Sequence, residues 1–421
     1  MATNSLSDKK TVAAWALYDW ANSAFSTTIM AGFFPIFYKQ YWAADLDAST
    51  STFQLGVSNA LASLVIVLSA PILGAIADQG GCRKAMLALF VVLGVTASAG
   101  LYWIGYGDWA AAAMLYCAAT VGFMGANVFY DALLISVSSS RNRDLVSSLG
   151  YALGYLGGGL LFSVNVAMTL SPASFGLLDA TEAVKYSFLS VALWWALFSL
   201  PLFRYVPEGT VTRKSSLVVV VRAGLTQFMD TFRKIRLIRN VVIFLMAYWL
   251  YIDGVDTIVR MAVDYGLSIG LQQNDLILAL LITQFVGFPA AIGFGYIGQY
   301  LGTKTGIYIG IVVYFFVILW AYFIDATWEF YVLAATIGLV QGGVQSLSRS
   351  FYADIIPRQQ AAEFFGFYNM MGKSAALIGP LMVGGVVYMT NDHRLGILSI
   401  LLLFVSGGYL LTKVRHQAII D

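Results

Sequence analysis

A chain of 421 residues that is 59% hydrophobic and only 11% charged cannot cover its surface with water-compatible groups, since soluble domains carry about 25% charged residues. A bilayer is the solvent that removes this conflict. A net charge of +2 and two cysteines, Cys82 and Cys117, leave no basis for a nucleic-acid partner, a disulfide framework or a metal site.

A spanning helix needs about 20 mostly apolar residues. Runs of this kind fall at 12–39, 53–78, 84–105, 109–138, 145–171, 183–205, 240–264, 273–299, 304–324, 328–352, 361–390 and 394–413. The short polar start, Met1 to Lys10, leads into a full-length run without a small-residue cleavage site, so a retained first helix is expected rather than a removed signal peptide. The connectors alternate in charge. Lys9 and Lys10, Arg83 and Lys84, Arg141 and Arg143, the stretch from Arg204 to Arg239, Lys304, Arg358, and Lys413 with Arg415 fall on one side. The other side is poor in basic residues, with Lys39, Lys185 and Arg394 as minor exceptions. The positive-inside rule places both termini in the cytoplasm, in a bacterial inner membrane.

The longest connector, 206–239, carries Arg213, Lys214, Arg222, Arg233, Lys234, Arg236 and Arg239 among apolar residues. It reads either as an amphipathic helix on an anionic lipid surface or as a solvated basic linker. Either way it divides the chain into an N-terminal six-helix bundle, 1–205, and a C-terminal one, 240–421.

Three motifs recur in order across that boundary. Tyr18-Asp19-x-x-Asn22 matches Ile252-Asp253-x-x-Asp256. Gly74-x-x-x-Asp78-x-x-Gly81-x-Arg83 matches Gly295-x-x-x-Gln299-x-x-Gly302-x-Lys304. Phe129-Tyr130-Asp131 matches Phe351-Tyr352-Ala353-Asp354. Ordered repeats at equivalent helices are the mark of a duplicated transporter.

The second motif resembles the signature loop of the major facilitator superfamily, although Gln79 and Cys82 stand where basic residues are common. Trp15-Ala-Leu-Tyr18-Asp19-Trp20-Ala-Asn22-Ser23 in the first span resembles the vacuole-effluxer branch of that superfamily, also called the unknown major facilitator family. So do Gly342-Gly343-Val-Gln345-Ser-Leu-Ser-Arg349-Ser350 in the tenth, and Glu363-Phe-Phe-Gly366-Phe-Tyr368-Asn369-Met-Met-Gly372-Lys373 with Gly379-Pro380 in the eleventh. The resemblance implies an all-α membrane protein of about twelve transmembrane helices in two pseudo-symmetric bundles, the major facilitator fold. It also implies solute transport, with spans 1, 4, 7 and 10 lining a central cavity. Fungal vacuolar members are associated with amino-acid export.

An ionisable residue deep in a bilayer is a functional hypothesis by default. At 1.5 Å per residue, Asp19 and Asn22 lie roughly 10–15 Å into the first span, and Lys373 roughly 18 Å into the eleventh. Asp253, Asp256 and Arg260 share one face of the seventh. These carboxylates read either as proton-coupling sites or as halves of permanent pairs, such as Asp253 with Lys373 or Asp256 with Arg260. Asp253 and Asp19 lead for coupling, with Asp256 behind them. Tyr18, Trp20, Tyr368, Asn369, Gln341 and Gln345 are the further candidates for solute contact. Asp78, Arg83, Asp131, Arg349 and Asp354 are candidates for a cytoplasmic gate, with Arg349 paired to Asp354 or Asp131. The glycine run from Gly150 to Gly159 reads as a close-packing face.

No Walker motif and no catalytic constellation appear, and His393 and His416 lie near helix ends. No cofactor is expected, and the chain is not expected to be an enzyme. The leading expectation is a proton-coupled secondary transporter exporting an amino acid or similar metabolite, acting as a monomer in contact with lipid. Transport of drugs, peptidoglycan fragments or lysolipids is the alternative, and a non-transporting receptor on the same fold is a further one.

Overall fold

A computed structural model describes residues 9–46, 48–208, 217–234, 239–268, 270, 272–374, 378–390 and 392–414. All regular structure among them is helical. We number the spans α1 to α12 and leave the linker helix unnumbered. α1 covers 9–42, beginning as Lys9–Ala24 and then widening into π-helical turns at Phe25–Phe33 and Tyr38–Trp42 on either side of Phe34–Phe37. The first half continues with α2 (Ala48–Gly80), α3 (Arg83–Gly100), α4 (Trp109–Val137), α5 (Arg143–Leu170) and α6 (Ala180–Tyr205). The linker helix is Leu217–Lys234. The second half holds α7 (Arg239–Ser268), α8 (Gln273–Leu301), α9 (Thr303–Ala321) and α10 (Thr327–Ile355). α11 is Ala361–Ser374 and Ile378–Thr390, and α12 is His393–Leu398 and Leu401–Thr412.

Ten helices among the described residues are long and apolar enough to cross a membrane. The two expected spans outside that count are α1, with its π turns, and α11, expected over 361–390, of which 361–374 and 378–390 are described and helical.

The halves meet along two symmetry-related helix pairs, α5 against α8 and α2 against α11. A lysine after each matching loop repeats the same capping contact. Lys84 Nζ donates to the carbonyls of Phe203 (2.9 Å) and Val206 (2.8 Å) at the end of α6. Lys304 Nζ donates to those of Thr412 (3.4 Å) and Val414 (2.9 Å) at the end of α12. A cation on the last carbonyls of a helix satisfies orphan acceptors and opposes the helix dipole. The structural counterpart of Lys304 is therefore Lys84, one residue beyond the Arg83 that the motif alignment pairs with it.

The glycine run of α5 is a packing face against α1. A Cβ on Gly154 would stand 2.6 Å from Ser23 Oγ, one on Gly157 2.6 Å from the Trp20 carbonyl, and one on Gly158 2.7 Å from Thr27 Oγ1. The absence of side chains at these positions lets the two helices approach closely.

Candidate functional site at the seam between the halves

Arg349, on α10, is a deeply enclosed cation, at 2% exposure. Every hydrogen-bond partner described for its side chain belongs to the other half. Nη1 lies 3.1 Å from Asp131 Oδ1 on α4 and 3.5 Å from Asp19 Oδ2 on α1. Nε donates to Ser147 Oγ (3.0 Å) and Nη2 to the Ser147 carbonyl (2.8 Å) on α5. Three rings close around the guanidinium carbon, with centroids at 4.4 Å (Tyr151), 5.0 Å (Trp15) and 5.4 Å (Tyr130). The carboxylates are held in turn: Tyr130 Oη donates to Asp19 Oδ2 at 2.8 Å, and Asn369 Nδ2 on α11 to Asp131 Oδ2 at 3.1 Å. Trp15 stacks on Tyr130 and donates its indole N–H to the Tyr130 carbonyl. Gly150 makes room, because a Cβ there would stand 2.5 Å from Asp19 Oδ2.

Of the two gate partners expected for Arg349, Asp131 is the observed one. Asp354 pairs instead with Arg143 at the start of α5. The motif shared by α4 and α10 could not separate the two acids, because Ala353 shifts Asp354 by one residue, about 100° around a helix, and so turns it away from Arg349. Asp19, expected to face an open cavity, belongs to the same cluster.

Further links surround this core at the end of the bundle that carries the basic loops. Asp144 accepts from Thr303 Oγ1 (2.8 Å) and from Ser350, and Ser147 Oγ donates to the Ser346 carbonyl (2.7 Å). On the other seam, Asp78 pairs with Arg83 at 2.6 Å and accepts the backbone N–H groups of Ala362 (3.1 Å) and Glu363 (2.9 Å), at the N-terminus of α11. Carboxylates are favoured there by the helix dipole and the unpaired amides. Arg83 also donates to the carbonyls of Arg358 and Gln359. The linker helix crosses this seam rather than lying apart from it: Gln79 donates to Gln227, and Gln227 to Glu363, both at 2.5 Å.

Gly74 and Gly366 let α2 and α11 touch through their backbones. A Cβ on Gly74 would lie 2.3 Å from the Ala362 carbonyl oxygen, too close for the seam to close around it. Gly74→Ala is expected to loosen this seam, so that limited trypsin digestion cuts several-fold faster after Arg358. An unchanged cleavage rate would show that the glycine contact does not hold the seam.

The other expected residues are placed as follows. Asn22 donates to Asn127 at 2.6 Å, within the first half. Tyr18 packs on Tyr130, and Tyr368 stacks between Tyr248 and Tyr352. Trp20 turns away from the seam and stacks on Trp194 at 5.4 Å. Gln341 lines a mostly apolar pocket inside the second half, with Ile258, Leu280, Val317 and Ile337. Gln345 and Asp256 are partly exposed. Asp253, expected to face the cavity, is fully buried within the second half: its two oxygens accept the Gly379 N–H at 3.1 and 3.0 Å, and Oδ1 accepts from Thr257 Oγ1 at 3.3 Å. It anchors α11 at Gly379. The side chains of Arg260 and Lys373, the expected partners of Asp256 and Asp253, lie outside the described residues. Sequence reading missed Arg143, Asp144, Ser147 and Tyr151. Arg143 and Asp144 open α5, in a stretch that sequence reading places in a connector and uses only for topology, and nothing local distinguishes Ser147 from the other small residues of α5.

Two halves of helices joined by charge across a seam define a transporter of the major facilitator type. The fold agrees with solved structures: the human organic anion transporter MFSD10 superposes with a TM-score of 0.76 over 96% of this chain and 99% of that one, at 14% identity. The proton:xylose symporter XylE gives 0.69 over 96% and 94%, at 15% identity. The chain belongs to the vacuole effluxer Atg22-like family, whose model matches residues 42–418. It is 37% identical over 410 residues to YxiO of Bacillus subtilis strain 168, described as an uncharacterized MFS-type transporter, covering 97% of this chain and 95% of that protein. It is 26% identical over 305 residues to autophagy-related protein 22 of Yarrowia lipolytica, covering 64% of this chain and 50% of the fungal protein.

Proposed function

We propose that this protein is a secondary active transporter that exports an amino acid or a similar small metabolite across a bacterial cytoplasmic membrane by alternating access, coupled to protons. Its basic end is the cytoplasmic end, and the described arrangement is the one closed on that side. The observation that carries this reading is the Arg349 cluster. A buried guanidinium whose described hydrogen-bond partners all lie on the opposite half is a contact that forms and breaks as a unit when the halves rock. A permanent structural pair has no need to cross the seam.

Proton coupling falls to the acids of that cluster. Two carboxylates share one guanidinium, and separation of the halves removes it from both. A carboxylate losing its cation in a poorly hydrated site gains affinity for a proton, so opening and protonation are linked. Asp253 is assigned a different task, anchoring α11 through Gly379.

The test is flux in proteoliposomes with and without an imposed proton gradient, using a panel of labelled amino acids. Asp19→Asn should reduce gradient-driven flux by about tenfold or more with expression and monodispersity intact. Full gradient-driven flux in that variant would remove proton coupling from this cluster.

A further inference from the structure

The surroundings of Arg349 form a cation site built entirely by one half. Asp19 and Asp131 supply two carboxylates, the Ser147 carbonyl and hydroxyl supply neutral acceptors, and Trp15, Tyr130 and Tyr151 supply three ring faces. The guanidinium that fills it comes from α10 on the other half. Two acids and an aromatic cage suit an organic cation, through charge and through ring faces that attract it when water is excluded. They repel a carboxylate or phosphate. Once the halves part at the basic end, α10 carries Arg349 out of the cage, and Asn369 on α11 leaves Asp131 with it. Asp19 and Asp131 then lose the cation they share, which is costly unless another cation or protons replace the arginine.

We propose that this cage, from Trp15 to Tyr151, binds the ammonium or guanidinium group of the transported solute, and that Arg349 occupies it in the solute's place when the basic end is closed. The solute is then a small organic cation or a zwitterion that presents its amino group to the first half. Solute and Arg349 exclude one another, so bound solute holds the basic end open and its departure toward the far side readmits Arg349. This rests on the alternating-access reading above and deepens it by naming the solute's charged group.

The experiment uses three probes of matched chain length, butylammonium, butanol and butyrate, together with methylguanidinium. Each is titrated at constant ionic strength into detergent-purified protein, with thermal stability as the readout. In Arg349→Ala the cage is vacant. Butylammonium and methylguanidinium should stabilise this variant saturably, with a Kd about tenfold or more below that of wild type, whereas butanol and butyrate should not. Adding Asp131→Asn should abolish the effect. Equal shifts from butylammonium and butyrate, or a shift that survives Asp131→Asn, would overturn the proposal.

Should Arg349→Ala not purify, wild-type protein carrying spin labels at Ser140 and Leu301 serves instead. Agmatine should lengthen the distance between the labels, and butyrate should not; a distance that Asp131→Asn lengthens but agmatine leaves unchanged would overturn the proposal. Binding to the vacant cage requires no movement of the halves. A failure of alternating access therefore shows as a label distance that no condition changes, separately from a failure of the cation site.

Discussion

Replacing Arg349 by alanine is expected to abolish transport and to destabilise the protein by about 3–5 kcal/mol, the cost of removing one partner from a buried ion pair. The magnitude follows from what is left behind. Asp19 and Asp131 retain Tyr130 and Asn369 as donors, but neither donor carries a compensating charge. The carboxylates can respond by taking up a proton or by drawing in water, and both routes favour a seam open at the basic end. Arg349→Lys should fall in between. A lysine keeps the charge, but it cannot reach the Asp131 carboxylate and both Ser147 acceptors with the fixed fork of a guanidinium. A double-mutant cycle with Asp131→Asn separates the two contributions. If the pair acts as a unit, the combined loss should fall short of the sum of the single losses. Thermal unfolding in detergent gives the stability arm, and proteoliposome flux gives the functional one.

The second large effect is expected at Asp253. Asp253→Ala leaves the Gly379 N–H without its acceptor in a buried site, a penalty of about 1–3 kcal/mol. It also frees α11 at Gly379. That contact has no slack, because a Cβ on Gly379 would stand 1.8 Å from Thr257 Oγ1, so the anchor holds the Gly379 backbone directly on the Thr257 side chain. Asp253→Asn retains an acceptor oxygen of the same reach. It should therefore keep most of the stability and most of the gradient-driven flux, and this contrast between alanine and asparagine is the signature of an anchor. A well-folded Asp253→Asn that loses its response to the proton gradient would return proton coupling to Asp253.

The sequence carried much of this architecture because hydrophobic length is a direct constraint of the bilayer and loop charge is a direct constraint of insertion. The pairing of Asp78 with Arg83 was legible in a local motif, and the structure shows that pair. The repeats, in contrast, located equivalent helices without fixing equivalent contacts. Asp19 and Asp253 occupy matching positions, yet one meets an arginine across the seam and the other a backbone amide inside its own half. Side-chain partners on different helices depend on the rotation of each helix about its axis, which a one-residue offset such as that at Ala353 changes by about 100°. Proline alone does not mark a helix boundary in this chain, because Pro71, Pro201 and Pro289 lie inside continuous helices.

The most direct measurement is the distance between spin labels at Ser140, in the loop between α4 and α5, and Leu301, at the end of α8, in wild type and in Asp131→Asn. Both positions are exposed at the basic end, where Gln299 reaches the Arg141 carbonyl across the seam. If the Arg349 cluster locks the halves together, wild type should populate a short distance and Asp131→Asn should shift the population to a longer one. Identical distributions in the two proteins would contradict the lock, and with it the gate on which the transport cycle is built.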